Sequence, residues 1–171
     1  MKPNVIYLIV SGAGSARYVP ELIDGLATLG LPVYTLLTEN ADRVISPFQL
    51  SKHPGHRLVD GYFDPAIDPD RPPGLTVVAP ATFNTVNKLG QGIADTLAHS
   101  LVAEAIGGDW PVVVVPAVNA PLANHPRFGE SLTTLAAWGV TIVPLQGEGP
   151  TMTMAAVPDI VAAAKAVIGR Q

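Results

Sequence analysis

Cysteine is absent from this 171-residue chain. That excludes disulfides, thiolate metal sites and a cysteine nucleophile. Charge is also scarce: Asp, Glu, Lys and Arg together make up 14% of the sequence, the formal net charge is -4, and lysine and arginine form no cluster. Nucleic acid and anionic membrane are therefore not expected as partners. No apolar run has the length that crosses a bilayer. The opening MKPNVIYLIV passes directly into Ser11 and Gly12 without the small-residue cleavage site of a secretory signal, so a cytoplasmic location is expected. His53 and His56 stand three apart without carboxylates at ligand spacing, and no metal site is expected there.

What the chain has in quantity is apolar surface, with 48% hydrophobic residues. Its length suits one domain over residues 1–171, and its composition suits burial in apolar contacts between copies. Short, almost wholly apolar runs recur at 4–10, 31–37, 75–79, 111–115 and 140–143, as expected of strands covered on both faces. Leu58 and Val59 could add a short strand, and Asp64 to Pro73 reads as an exposed loop. Helical patterns alternate with the strands: one ends near Gly30, one covers Pro126 to Trp138, and one closes the chain from about Pro158. The alternation predicts a three-layer α/β fold, flavodoxin-like, with a doubly wound and mostly parallel sheet.

Three turns in this pattern carry polar groups where a parallel sheet opens its ligand crevice. After the first strand comes GAGS, in which Gly12 and Gly14 allow positive φ and close backbone approach, and Ser15 can cap a helix or bind an anion. The motif lacks GxGxxG and the lysine of a P-loop, so neither a dinucleotide fold nor an NTPase is supported. Thr38, after the second strand, opens a short helix through Ile45 and could bring a second hydroxyl to the same phosphate. After the central strand, which Pro80 should end, Thr82, Asn84 and Thr85 precede a helix whose inner face carries Ile93, Ala94, Leu97, Ala98, Leu101 and Ala105. Asn119 follows the next strand. Ser15, Thr38, Asn84 and Thr85 also suit helix caps. Together the three turns suit one ligand with a phosphate at one end and a hydrogen-bonding ring at the other.

SGAGSARYVPELIDGLATLGLPVYTLLTENA, PATFNTVNKLGQGIADTL and PAVNAPLANHP resemble, in that order, the opening, the PASANT motif with its helix, and the PAMN motif of the homo-oligomeric flavin-containing cysteine decarboxylases. That flavoprotein family includes phosphopantothenoylcysteine decarboxylase and peptidyl-cysteine decarboxylases. The resemblance covers nearly the whole chain. It implies FMN as cofactor, a small-molecule or peptide substrate, and assembly as a homotrimer or dodecamer with flavin at subunit contacts. Matched position by position, Gly12, Ser15 and Thr38 would hold the FMN phosphate. Thr82, Asn84 and Thr85 would lie along the flavin, and Ala117, Val118 and Asn119 would line the substrate side of the ring. Asn119 would contact the substrate carboxylate. Phe83 replaces an alanine of the family motif and could narrow the pocket or stack near the flavin.

Two family features are missing. The interval before the central strand, DPAIDPDRPPGLTVV, has no histidine where the family carries its base, and QGEGPTMTMAA has no cysteine to act as an acid. An acid or base typically contributes about two to four powers of ten to a rate, so another group must serve or the chemistry differs. Asp68 and Asp70 are the ionisable residues near the gap, and His125 follows PAVN. The expected activity is that of an FMN-dependent oxidative decarboxylase, or a related oxidoreductase, on a small or peptidyl carboxylate. The alternatives are a flavin-binding subunit without catalysis, a flavin prenyltransferase, and a reductase that passes electrons from a nicotinamide cofactor.

Overall fold

The computed structural model describes residues 2–59, 61–67 and 72–170. Six strands form one sheet: β1 (Ile6–Val10), β2 (Val33–Leu37), β3 (Arg57–Leu58), β4 (Leu75–Ala81), β5 (Val112–Pro116) and β6 (Thr141–Ile142), in the order β3-β2-β1-β4-β5-β6. All neighbouring pairs are parallel. Without the two-residue edge strand β3, this is the flavodoxin-like order, in which the chain winds outward from β1 and then returns to its other side. The reversal leaves a crevice at the carboxyl ends of β1 and β4.

The near-continuous apolar strands follow from layers on both faces. In β1, Ile6, Leu8 and Val10 join the core under helices α1 (Val19–Ala27) and α7 (Val157–Gly169), whose Leu22, Ile23, Leu26 and Ile160 are buried there. Tyr7 and Ile9 point the other way, into a core shared with α3 (Phe83–Gly90), α4 (Leu97–Gly107) and α6 (Pro126–Ala137). Two one-turn helices, α2 (Pro47–Leu50) and α5 (Ala120–Ala123), complete the set. Among the described residues, no helix is long and apolar enough to cross a membrane.

Several local expectations are corrected. The central strand runs through Pro80 to Ala81, with a register shift against β5 between Val78 and Ala81. Proline lacks a donor but keeps its acceptor, and here the Pro80 carbonyl takes both the N–H and the hydroxyl of Ser11 at 3.1 and 2.6 Å. The long helix expected after PATFNT is two helices. Gly92 turns left-handed at φ 70°, Thr96 starts α4 anew by accepting the His99 N–H, and Ile93 is 40% exposed rather than inward. After Thr38 there is a single 3-10 turn, Ala41–Arg43, instead of a helix through Ile45. Ala66 and Ile67, expected in an exposed loop, are buried against the core of α3 and α4. Neither Gly12 nor Gly14 adopts a left-handed φ.

Candidate functional site

The loops after β1, β2, β4 and β5 enclose one cavity of about 830 Å³ at the crevice, together with Met152 to Met154 from the loop before α7. The size is that of a cofactor or small-molecule site. Gly12, Ser15, Thr38, Thr82, Phe83, Asn84, Thr85, Ala117, Val118 and Asn119 all line it.

Ser11 sets the geometry. Its hydroxyl donates to the Pro80 carbonyl at 2.6 Å and accepts the Thr82 N–H at 2.9 Å, so one side chain at 1% exposure ties the end of β1 to the start of α3. The adjoining Gly12 makes the next contact possible: a Cβ there would stand 2.5 Å from the Asn40 carbonyl oxygen. Glycine lets the first and second loops touch. Thr38 continues the β1–β2 ladder, donating its N–H to the Val10 carbonyl at 2.9 Å, and lines the cavity.

Thr82 and Asn119 are caps as well as wall. Thr82 Oγ1 accepts the Thr85 N–H and donates to Thr85 Oγ1 at 3.1 Å; Asn119 Oδ1 accepts the Leu122 N–H at 3.2 Å. The amino end of α3 therefore faces the cavity, where its dipole and hydroxyls favour an anion or a carbonyl. Arg17, Arg43 and Lys88 add positive charge to the wall against the single carboxylate of Glu39, in a chain that is acidic overall. Electrostatics and donors both suit an anionic ligand.

Phe83 lies in the wall with its ring stacked on Phe128 at 6.0 Å between centroids, and His125 meets it edge-on at 5.3 Å. His125 itself stands outside the lining. Its Nδ1 accepts the Arg127 N–H at 3.2 Å and caps α6. Asp68 and Asp70 lie outside the described residues.

His99 was missed by sequence reasoning. It lines the cavity, it is 4% exposed, and its Nε2 is buried without a hydrogen-bond partner. Nδ1 lies 2.6 Å from Thr96 Oγ1. Burial and the nearby Lys88 ammonium hold the imidazole below its ordinary pKa, outweighing the opposite pull of Asp95 and Glu39. Lys88 Nζ pairs with Asp95 at 2.6 Å and in turn keeps that carboxyl below its usual range. The available signal was the Thr96-x-x-His99 spacing at a helix start, which marks a cap but not a cavity.

The flavoprotein family model matches residues 1–170. The chain belongs to the flavoprotein family. Among its relatives, phosphopantothenoylcysteine decarboxylase of Mus musculus is 30% identical over 94% of this chain and 85% of its own length. The coenzyme A biosynthesis bifunctional protein CoaBC of Thermococcus kodakarensis is 27% identical over 91% of this chain and 40% of its own. Against that bifunctional relative, this flavoprotein spans about two-fifths of the length. The crystal structure of the FMN-dependent cysteine decarboxylase SpaF shares its fold, with a TM-score of 0.80 at 24% identity over 97% of this chain and 95% of that one.

Proposed function

We propose that this flavoprotein binds FMN in the crevice cavity and acts as a flavin-dependent decarboxylase, or a related oxidoreductase, on a small or peptidyl carboxylate. The observation that carries the reading is the convergence of the three polar turns on one cavity at the switch point of the sheet. The donor set fits the cofactor: hydroxyls of Ser15 and Thr38 with a close glycine approach for the phosphate, and Thr82, Asn84 and Thr85 for the ring. Family relatives named as decarboxylases, and an FMN-dependent neighbour in structure, support the same reading.

Bound flavin would supply a two-electron acceptor. The chain's part is to hold, orient and exclude. Asn119 keeps its Oδ1 engaged in capping α5, which leaves its amide N–H groups to meet a substrate carboxylate beside Ala117 and Val118. Phe83, fixed by Phe128, walls one side of the cavity and limits the bulk of what enters. Asp68, Asp70 and His125 remain the proposed sources of a base from this chain or a neighbouring copy. We read residues 1–171 as one FMN-binding unit in the cytoplasm, assembled as a homotrimer or dodecamer. Exposed apolar side chains such as Phe63, at 88% exposure, support contacts between copies.

A second reading, flavin binding without catalysis, is favoured by the lack of a histidine in the interval before β4 and of cysteine throughout. Anaerobic addition of cysteine-ended peptides to the FMN-loaded protein separates the two. Bleaching of the flavin bands with release of carbon dioxide supports the decarboxylase. Flavin that no thiol or carboxylate substrate ever reduces leaves the binding role.

A further inference from the structure

We propose that a second cavity, at the opposite end of the sheet from the crevice, binds a small free α-amino acid, with Asp109 taking its ammonium and Arg170 its carboxylate. The cavity measures about 210 Å³, and its wall is made where β5 and β6 begin and where three helices end. That volume lies below the roughly 300–1,000 Å³ of pockets for drug-sized ligands, so the cavity suits a small molecule and not a nucleotide. No residue lines both this cavity and the crevice, and the inference is independent of the FMN reading.

The helix ends give the cavity its polarity. α4 stops at Gly107, α6 at Ala137 and α7 at Gly169, and Ile106, Trp138 and Arg170 bring these three carboxyl ends into one wall. Carbonyls in a last turn lack helical partners and carry the negative end of the dipole, which favours a cation. Asp109 adds a carboxylate to the same wall. Among the described residues it is the non-glycine residue with a left-handed φ, at 55°. Glycine holds such a turn at no steric cost, so the turn alone does not call for an acidic side chain. Trp110 and Trp138 contribute indoles, whose faces attract an ammonium and cover apolar groups. Trp110 is held in place against α4, since a Cβ on Gly108 would stand 3.1 Å from its Cε2. Arg170 supplies the opposite sign. Neither Asp109 nor Arg170 forms an ion pair with the other or with another described residue. An amine alone would leave the guanidinium unanswered, and a carboxylate alone would leave Asp109 so. A zwitterion answers both, and Val140 and Val167 in the wall suit an apolar side chain between the two charges.

Both tryptophans of the chain line this cavity, so tryptophan emission reports on it without a label. The experiment titrates the purified full-length protein with L-methionine, whose flexible thioether chain adapts to an irregular gap. Parallel titrations use n-butylamine and butyrate, which carry one charge each. The expected result is a saturable change in emission with L-methionine, at an affinity at least about tenfold above that of either single-charge probe. Asp109→Asn keeps a residue that accepts left-handed φ, and Arg170→Gln changes an exposed helix end, so both variants should melt as the wild type does. Each should weaken L-methionine about three- to tenfold, the loss of one hydrogen-bonded charge. The two positions follow different helices, so a variant that fails to fold leaves the other to decide. No saturable change in emission at tens of millimolar L-methionine overturns the site. An equal response to butylamine or butyrate overturns the zwitterion as its ligand, and an L-methionine response that persists unchanged in the folded variants overturns the roles of Asp109 and Arg170.

Discussion

Replacing Gly12 by alanine tests how the cavity is built. The added Cβ would lie 2.5 Å from the Asn40 carbonyl oxygen and 2.8 Å from its carbon, against an ordinary contact of 3.4 Å or more. The gap between the first two loops must widen by about 0.9 Å. The obstacle is backbone, and it is anchored: Thr38 N–H is bonded to Val10, and Ala41 N–H to the Thr38 carbonyl, both at 2.9 Å. Overpacking of this kind costs roughly 1–3 kcal/mol. At about 2–4 °C per kcal/mol for a chain of this size, the apoprotein should melt about 2–12 °C lower. Widening also carries Thr38 away from Ser15. If both hydroxyls hold one phosphate, losing one charge-assisted hydrogen bond of about 1.5–3 kcal/mol weakens FMN roughly 10- to 150-fold. Gly14→Ala is the control, because a Cβ there meets nothing within 4 Å and its φ is not left-handed. Its stability should stay within about 0.5 kcal/mol of wild type. Differential scanning fluorimetry and FMN titration read both quantities. Gly12→Ala with unchanged melting temperature and affinity would refute the claim that contact between these loops shapes the site.

Other perturbations follow from single contacts. Ser11→Ala removes a buried hydroxyl with two partners and leaves the Thr82 N–H unmade, so it should cost about 1–3 kcal/mol in chemical denaturation and loosen FMN as well. Gly90→Ala would bring a Cβ within 2.8 Å of Ser131 Cβ, where α3 crosses α6 beside the Asn87–Ser131 hydrogen bond; a stability loss of about 1–3 kcal/mol is expected, and an unchanged denaturation midpoint would contradict that packing. His56 and His99 are both held below the ordinary value of 6.5, chiefly by burial. The unfolded chain therefore takes up protons that the native chain refuses as pH falls below 6.5, and stability should decline on the acid side until the native rings titrate. Melting temperatures at a series of pH values between about 5.5 and 7.5 check the sign, and the double variant His56→Gln, His99→Gln should flatten the slope. Phe83→Ala should admit bulkier carboxylates; unchanged ligand selection would remove Phe83 as a wall that selects substrate.

The sequence displayed what depends on neighbours along the chain. β1, β2, β4 and β5 are runs of aliphatic residues because both faces are covered, and that pattern is visible without knowing what covers them. The polar turns were visible because Gly, Ser, Thr and Asn interrupt those runs at their carboxyl ends. What stayed hidden depends on partners far away in the chain. Ser11 reads as one more polar residue in a turn until Pro80 and Thr82, 69 and 71 positions on, supply its hydrogen bonds. Pro80 reads as a strand end because its missing donor is local, while its accepting carbonyl finds Ser11 only in the folded sheet. The single long helix after PATFNT fitted helical spacing through Ile93, but the left-handed Gly92 and the new cap at Thr96 divide it. His99 is hidden for a related reason: it is buried beside the cavity, off the regular apolar face that spacing detects.

FMN binding in the crevice is read out by titrating the purified apoprotein with the cofactor. Added FMN should bind with a stoichiometry of one per chain, shift the flavin absorption bands, and raise the melting temperature in proportion to the logarithm of free cofactor. The same titration with Gly12→Ala should show weaker binding. A protein that stays colourless, takes up no FMN at high micromolar concentration and melts at the same temperature with and without it would show that the crevice does not hold FMN.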